Sequence, residues 1–367
     1  MLAVCETNGE TKMNNDKSRE ILTHSSMQAW RDCRRKFYFS YILGIRKDRT
    51  ESYFRFGGNF HNGLDLRAQG FSQNYAIQES TASYGDIPAW CNDEETELEW
   101  WVEREKVANL LAGYFWRWQN DDIEIIETEQ TFSLPIINQS NNEQSQHFRT
   151  AGKIDKIVRL RDGRIALMEH KTTSDSIDDN SVYWDRLRID SQISHYMLNA
   201  RKMGHELDTI LYDVIRKPTI KPKKLTKSQQ KIFASQKVWF GVRFDYAEVP
   251  QRETPEMYGA RLLADIQERP NHYFARREIP RTANDMEEYA DELWGISEDI
   301  QQAKESGRWY RNTRQCNLMG KCPYADLCFQ GVPITDGSVP AGYKHLTNVH
   351  PELENCNEQR SESTTSA

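Results

Sequence analysis

Two strand-like runs joined by Arg161-Asp162-Gly163 constrain this chain more than any other feature. The first, residues 148–160, contains Gly152-Lys153-Ile154-Asp155-Lys156-Ile157-Val158. The second, residues 164–171, ends in Met168-Glu169-His170-Lys171. Side chains alternate along a strand, so Glu169 and Lys171 share one face and His170 takes the other. Which face Asp155 takes depends on the turn. A two-residue loop of Asp162-Gly163 sets Asp155 opposite His170. A three-residue loop, with Gly163 left-handed and forming a bulge, shifts the pairing by one and sets Asp155 opposite Glu169. We expect the three-residue turn, because only that register brings both acids to one face. A two-residue turn would dismantle the arrangement.

The flanking segments extend the pattern. Apolar periodicity predicts a long helix over 94–119, then a strand over 124–135 ahead of the two runs. A helix over 189–203 and a strand over 209–215 follow. The order is helix, three strands, helix, strand, an αβββαβ core at about 94–215 with extra helices around it. Upstream, Ser25 or Ser26 is placed to cap a helix over 27–43 that Gly44 ends. Gly57-Gly58 precedes a helix holding His61 and Leu64. Downstream, a strand near 272–279 leads to an amphipathic helix over 283–305.

Carboxylates converging on one point hold hard cations that take oxygen ligands, as two-metal phosphodiester hydrolysis requires. Asp155 and Glu169 fill that role, helped by the main-chain carbonyl of His170. Lys171 is placed to orient or deprotonate an attacking water and to balance charge on a phosphate. Gln192 and Tyr196 lie one helical turn apart and can position the site or a nucleic-acid backbone. Glu129 is a weaker further acid. Glu-x-Lys alone reads as a solvated salt-bridge face; the turn, the preceding Gly-x-x-Asp and the following Gln-x-x-x-Tyr together point to chemistry.

In that order the three motifs resemble the PD-(D/E)XK nuclease superfamily, in particular its RecB-like branch, which includes Cas4 and AddB-type nuclease domains and phage exonucleases. The chain departs from the pattern at Ile154, where a proline is common. The resemblance implies a restriction-endonuclease-like α/β fold with a mixed sheet, Mg²⁺ or Mn²⁺ as cofactor, and His61 of Gly58-Asn59-Phe60-His61 as a further metal ligand. It implies a DNA exonuclease or endonuclease favouring single strands or ends, serving repair, recombination or phage DNA processing. The competing class is a catalytically silent DNA-binding or scaffold subunit, which has no need to keep all of Asp155, Glu169 and Lys171.

The cysteines carry a second signal. Cys316, Cys322 and Cys328 are spaced Cys-x₅-Cys-x₅-Cys, with Gly320 and Pro323 between them. Three thiolates so close call for a fourth, which a tetrahedral Zn²⁺ or a 4Fe-4S cluster would each accept. Cys33 is the best fourth ligand, and the resemblance supports it: such proteins place one cysteine before the nuclease core and three after it, around an iron–sulfur cluster. Gln28, Cys33 and Phe37 also match the family's pattern there. The cluster segment spans about 312–332. Cys5, Cys91 and Cys356 look unrelated.

Net charge is −7 over 367 residues, so any nucleic-acid contact must use local patches. Residues 216–231 hold seven Lys and Arg and no acid. We expect DNA contacts at Lys217, Lys221, Lys223 and Lys224 there, and at Arg34 and Arg35 beside the aromatics of the first helix. No Gly-x₄-Gly-Lys-Ser/Thr loop is present, so any helicase or recombinase is a separate protein. No apolar run reaches the roughly 18 residues that span a bilayer. The expectation is a soluble protein of a bacterial or phage-infected cytoplasm. Residues 1–22 and 333–367 read as disordered tails around one domain, 23–332.

Overall fold

A computed structural model describes residues 19–48, 52–318, 320–330 and 339–353. The strands are β1 (Glu20–Leu22), β2 (Ile45–Lys47), β3 (Glu124–Ile137), β4 (Gln144–Arg159), β5 (Ile165–Thr173), β6 (Thr209–Arg216), β7 (Val238–Trp239), β8 (Val242–Arg243), β9 (Phe274–Glu278) and β10 (Tyr343–His345). The helices are α1 (His24–Asp32), α2 (Arg34–Phe37), α3 (Ser52–Ala68), α4 (Gln73–Thr81), α5 (Glu94–Arg117), α6 (Val182–Arg188), α7 (Ser191–Lys202), α8 (Lys227–Gln236), α9 (Pro255–Glu268), α10 (Pro270–Tyr273), α11 (Ala283–Ser306) and α12 (Ala325–Gln330). None of the described helices is long and apolar enough to cross a membrane.

The core has the expected order: α5, then β3, β4 and β5, then α6 and α7, then β6. β3–β4 and β4–β5 are antiparallel, and β5–β6 is parallel because the helical crossover returns the chain in the same direction. β9 closes one edge antiparallel to β6, and the short β1 runs parallel to the start of β4. Two apolar layers flank this mixed sheet. One joins α3, α5 and α9 through Phe60, Val107, Leu110, Leu262 and Ile266. The other joins α7 to the sheet through Ile154, Leu167, Ile193, Met197 and Tyr212.

Four expectations need correction. The helix predicted over 27–43 is broken at Cys33, which is extended at φ −166° and ψ 119°. Its amide still bonds the Ala29 carbonyl at 3.0 Å, and five residues of π-helix, Tyr38–Ile42, follow α2. Gly57 and Gly58 lie inside α3 instead of ahead of it. Residues 20–22, read as part of a tail, pair with β4. Residues 339–353, read the same way, are ordered: β10 pairs antiparallel with β2, the Tyr343 hydroxyl donates to the Pro323 carbonyl at 2.7 Å, and the Thr23 hydroxyl donates to Glu352 at 2.7 Å. These two pieces hold structure through partners distant in sequence, which composition does not register. Residues 1–18 and 354–367 lie outside the described residues.

Candidate active site

The turn between β4 and β5 has three residues. Leu160 and Arg164 close it, with the Leu160 amide on the Arg164 carbonyl at 2.9 Å, and Gly163 sits at φ +87°. The paired residues run from Arg159↔Ile165 to Lys156↔Met168. One step further along the same register places Asp155 opposite Glu169, as the parity argument requires. There the strands stop exchanging ladder bonds, and the Asp155 carboxylate instead accepts the His170 main-chain N–H at 3.0 Å.

Lys171 lies beside this pair. Its ammonium is 3.1 Å from Glu169 Oε1 and 3.5 Å from Asp190 Oδ2, and it donates to Gln192 Oε1. The Gln192 amide nitrogen donates to the Tyr196 hydroxyl at 3.0 Å, so the amide's orientation is fixed from both ends. Asp190 caps α7 by accepting the Gln192 N–H at 2.9 Å, and the same carboxylate pairs with Lys171. From the opposite layer, α3 brings His61 Nδ1 to 3.8 Å from Asp155 Oδ2. Asp155, Glu169, Lys171, Gln192, Tyr196 and His61 thus form one cluster.

The electrostatics are those of a site built for positive charge. Burial, and then the neighbouring Asp155, push Glu169 up to about 8 against the pull of Lys171. Glu169 Oε2 is buried with no hydrogen-bond partner. Burial opposes the Asp155 anion too, but His61, His170 and the His170 N–H outweigh it and hold its pKa below the ordinary value. Burial alone would lower Lys171; Glu169 and Asp190 more than reverse that, so it stays an ammonium. Two acids at close quarters, one with a bare buried oxygen, suit a divalent cation.

Sequence reasoning missed three residues. Asp190 carried a readable signal as an acid just before α7. Asp65 lies one helical turn after His61, and burial followed by the Asp155 charge raises its pKa. Asp213 lies in the apolar run of β6 and is fully buried behind the site. It is 3.1 Å from His170 Nδ1 and 3.4 Å from Arg276 Nε, and it accepts the Tyr114 hydroxyl. Lys156 Nζ lies 2.9 Å from His170 Nε2. His170 therefore faces away from Glu169 and Lys171, and this buried network clamps the strand that carries them. Glu129 pairs with Lys153.

The cysteine segment meets α1 at a separate place. The break at Cys33 turns its thiol toward the Asn312 N–H, which donates to the sulfur at 3.3 Å, while Asn312 Nδ2 donates to the Asp32 carbonyl at 2.9 Å. The Cys322 amide bonds the Cys316 carbonyl at 2.8 Å. Burial raises the Cys322 thiol, and the nearby Cys316 and Cys33 add to this. Burial likewise raises Cys328; Arg35 opposes it, and Cys322 and Cys33 reinforce it. The four sulfurs thus share one neighbourhood, but no group of three or more His, Cys, Asp or Glu among the described residues is placed to hold a metal ion. Cys5 and Cys356 lie outside the described residues.

Of the expected DNA contacts, Arg34 and Arg35 lie with this segment. Arg34 stacks on Trp30 and Tyr310, at 4.5 Å from each, and Arg35 Nε donates to the Trp309 carbonyl at 2.7 Å. Lys217 leaves the sheet beside the site, its amide bonded to the Thr173 carbonyl at 2.7 Å and its ammonium 5.2 Å from the Phe56 ring. Lys221, Lys223 and Lys224 continue outward on an exposed loop.

The crystal structure of a protein named "Putative exonuclease" from Eubacterium rectale is similar over 92% of this chain and 97% of its own, at 10% identity and a TM-score of 0.39, a likeness too weak to argue from. No curated protein matches the sequence. A family model described as the PD-(D/E)XK nuclease superfamily matches residues 21–329. That match runs from within β1 through most of α12 and takes in every residue of the cluster around Asp155 and Glu169, and the chain belongs to the PD-(D/E)XK nuclease superfamily.

Proposed function

We propose that this protein is a Mg²⁺- or Mn²⁺-dependent deoxyribonuclease that hydrolyses phosphodiester bonds in single-stranded DNA or at DNA ends. One observation carries the reading: Asp155 and Glu169 face each other across two strands, with an unpartnered buried Glu169 oxygen and the Lys171 ammonium alongside. Asp155, Glu169, the His170 carbonyl and His61 are the groups that would hold the cation. Bound there, it supplies Lewis-acid charge at the phosphate and lowers the pKa of a water.

The chain's own groups account for the rest. Lys171, kept cationic by Glu169 and Asp190, donates to a phosphate oxygen or to the attacking water and does not serve as the base. Gln192 locks the position of that ammonium, and Tyr196 locks Gln192. Burial, reinforced by Glu169, keeps the Tyr196 phenol protonated. Glu169 must give up its proton to act as a ligand, and the charge of a bound cation would itself favour that.

Cys33, Cys316, Cys322 and Cys328 are proposed to hold a 4Fe-4S cluster, with Zn²⁺ as the alternative, fastening α1 to the C-terminal segment as in the RecB-like branch. A cytoplasmic setting in repair, recombination or phage DNA processing, beside a separate helicase or recombinase, goes with this reading. Linear and circular single-stranded DNA, incubated with Mn²⁺, test the activity. Linear DNA should be degraded by the wild type and about 10²–10³-fold more slowly by Lys171→Ala. Degradation of circular DNA would mark an endonuclease. A wild type that binds DNA without cutting it would be a silent subunit. Anaerobically purified protein should be brown; a colourless protein holding one zinc would replace iron in the account.

A further inference from the structure

The basic stretch that leaves the catalytic sheet at Lys217 ends at a small, separately cored platform. Leu225, Phe233, Trp239 and Met257 form its interior, with Phe244, Tyr246 and Val249 packed around them. Glu253 anchors it: fully buried, it accepts the Trp239 indole N–H at 3.1 Å and two guanidinium bonds from Arg261 at 2.7 and 2.8 Å. Lys237 donates to the Tyr246 carbonyl at 2.7 Å. The β7–β8 hairpin stands on this platform, with Trp239 opposite Val242, so its loop is the two residues Phe240 and Gly241.

Both loop residues are left-handed, at φ +45° and +80°. A two-residue hairpin turn needs that conformation, and Asn, Asp or Gly adopts it readily. A bulky residue is an outlier there. Phe240 bears the backbone strain while 49% of it is exposed, and its ring meets the platform core edge-on at Trp239, with the ring centroids 5.4 Å apart. The turn does not call for an aromatic at this position, the contact with Trp239 leaves about half of the side chain in solvent, and strain held at an exposed site points to function.

What surrounds the ring identifies the partner. The Lys223 ammonium lies 5.8 Å from the Phe240 ring centroid and 5.6 Å from that of Trp239. Lys224 follows on the same loop, Lys227 and Lys231 are exposed on α8, and none of the four ammonium groups is ion-paired among the described residues. An exposed aromatic ring beside one unpaired ammonium, with three more on the chain that leads away from it, matches the chemistry of an unpaired base and its phosphates. Duplex DNA keeps its bases stacked and offers such a ring nothing. Rigid support from Trp239 and Glu253 means that little ordering is lost when a base binds.

We propose that Phe240 is a stacking site for an unpaired nucleobase, with Lys223, Lys224, Lys227 and Lys231 taking the flanking phosphates of a single strand that runs past Lys217 to the catalytic cluster. This rests on the deoxyribonuclease reading. The test uses the full-length protein, EDTA to prevent cleavage, and fluorescence anisotropy of labelled oligothymidylate and of an abasic strand of equal length. Phe240→Asn suits the turn better, so its melting temperature should equal or exceed that of the wild type. It should bind oligothymidylate about tenfold more weakly, and the abasic strand as the wild type does. Phe240→Trp should bind as the wild type does. In Mn²⁺, Phe240→Asn should raise KM and leave kcat unchanged. Replacing Lys223 and Lys227 with Gln should flatten the salt dependence by about 0.7 for each phosphate no longer neutralised. Undiminished binding of oligothymidylate by Phe240→Asn would overturn the proposal, as would an equal loss on both strands or failure of Phe240→Trp. If the wild type cuts DNA while Phe240→Asn binds normally, only this inference falls. A wild type that neither binds nor cuts DNA removes the nuclease reading as well.

Discussion

Gly152 stands three residues before Asp155, and its role is steric. A Cβ built there would lie 2.6 Å from Phe132 Cζ, 2.9 Å from Phe132 Cε1 and 3.1 Å from Tyr196 Cε1. Ordinary contact begins at 3.4 Å, so in Gly152→Ala the Phe132 ring must retreat by close to an ångström. It has nowhere to go, being packed against His195 and Tyr196 at ring-centroid distances of 5.4 and 6.2 Å. Overpacking of this kind costs about 1–3 kcal/mol, less the roughly 0.5–1 kcal/mol that alanine recovers from the unfolded chain. The net loss, about 1 kcal/mol at the centre of a range of roughly 0–2.5 kcal/mol, should lower the melting temperature by a few degrees. Activity should suffer more. Tyr196 holds Gln192, and Gln192 holds Lys171, so displacing the Tyr196 ring misplaces the ammonium; a shift of about 1 Å can cost on the order of 10²-fold in rate. Thermal unfolding and single-turnover cleavage measure the two effects. Phe132→Leu in the same chain should make room and recover part of both losses. If Gly152→Ala melts and cleaves like the wild type, or Phe132→Leu brings no recovery, close approach is not why a glycine stands there.

Three further outcomes follow from the same geometry. Glu169 has a native pKa raised from 4.5 to about 8, so its protonated form stabilises the metal-free fold below about pH 4.5, and that contribution is lost as pH rises through 8. Urea unfolding in EDTA should therefore show Glu169→Gln gaining on the wild type between those values, whereas parallel profiles would contradict the burial argument. Asp213→Ala leaves Arg276 and His170 without their shared partner, and should cost about 3–5 kcal/mol in equilibrium unfolding; a loss below about 1 kcal/mol would mean the network does not clamp β5. Ending the chain at residue 338 removes β10 and the Glu352–Thr23 bond, and should lower the melting temperature measurably, where a true tail would change nothing.

The hairpin was legible because few residues decide it: Gly163 is free to turn left-handed, and a period of two does the rest. The helical layer was harder to read. Trp30, Cys33, Phe37 and Tyr41 keep helical spacing straight through the break at Cys33, because the break is made by Asn312, nearly three hundred residues later in sequence. Gly57 and Gly58 read as punctuation, yet tertiary packing of Phe56, Phe60 and Leu64 carries the helix through them. The same logic hid β10, whose pairing partner is β2. In the site, motif spacing found the groups on β4, β5 and α7. Asp65 and Asp213 escaped because their relation to Asp155 and His170 exists only once α3 and β6 are packed against the sheet.

At the centre of the proposed chemistry, Asp155 and Glu169 hold a cation beside a Lys171 that acts by its charge. Single-turnover hydrolysis of a labelled single-stranded oligonucleotide, followed against Mn²⁺ concentration, separates the two roles. Lys171→Ala should reach its plateau at wild-type Mn²⁺ concentrations, with a rate about 10²–10³-fold lower, while Glu169→Gln should need far more Mn²⁺ to reach any plateau. A Lys171→Ala plateau at the wild-type rate, or a Glu169→Gln curve that saturates where the wild type does, would contradict these assignments.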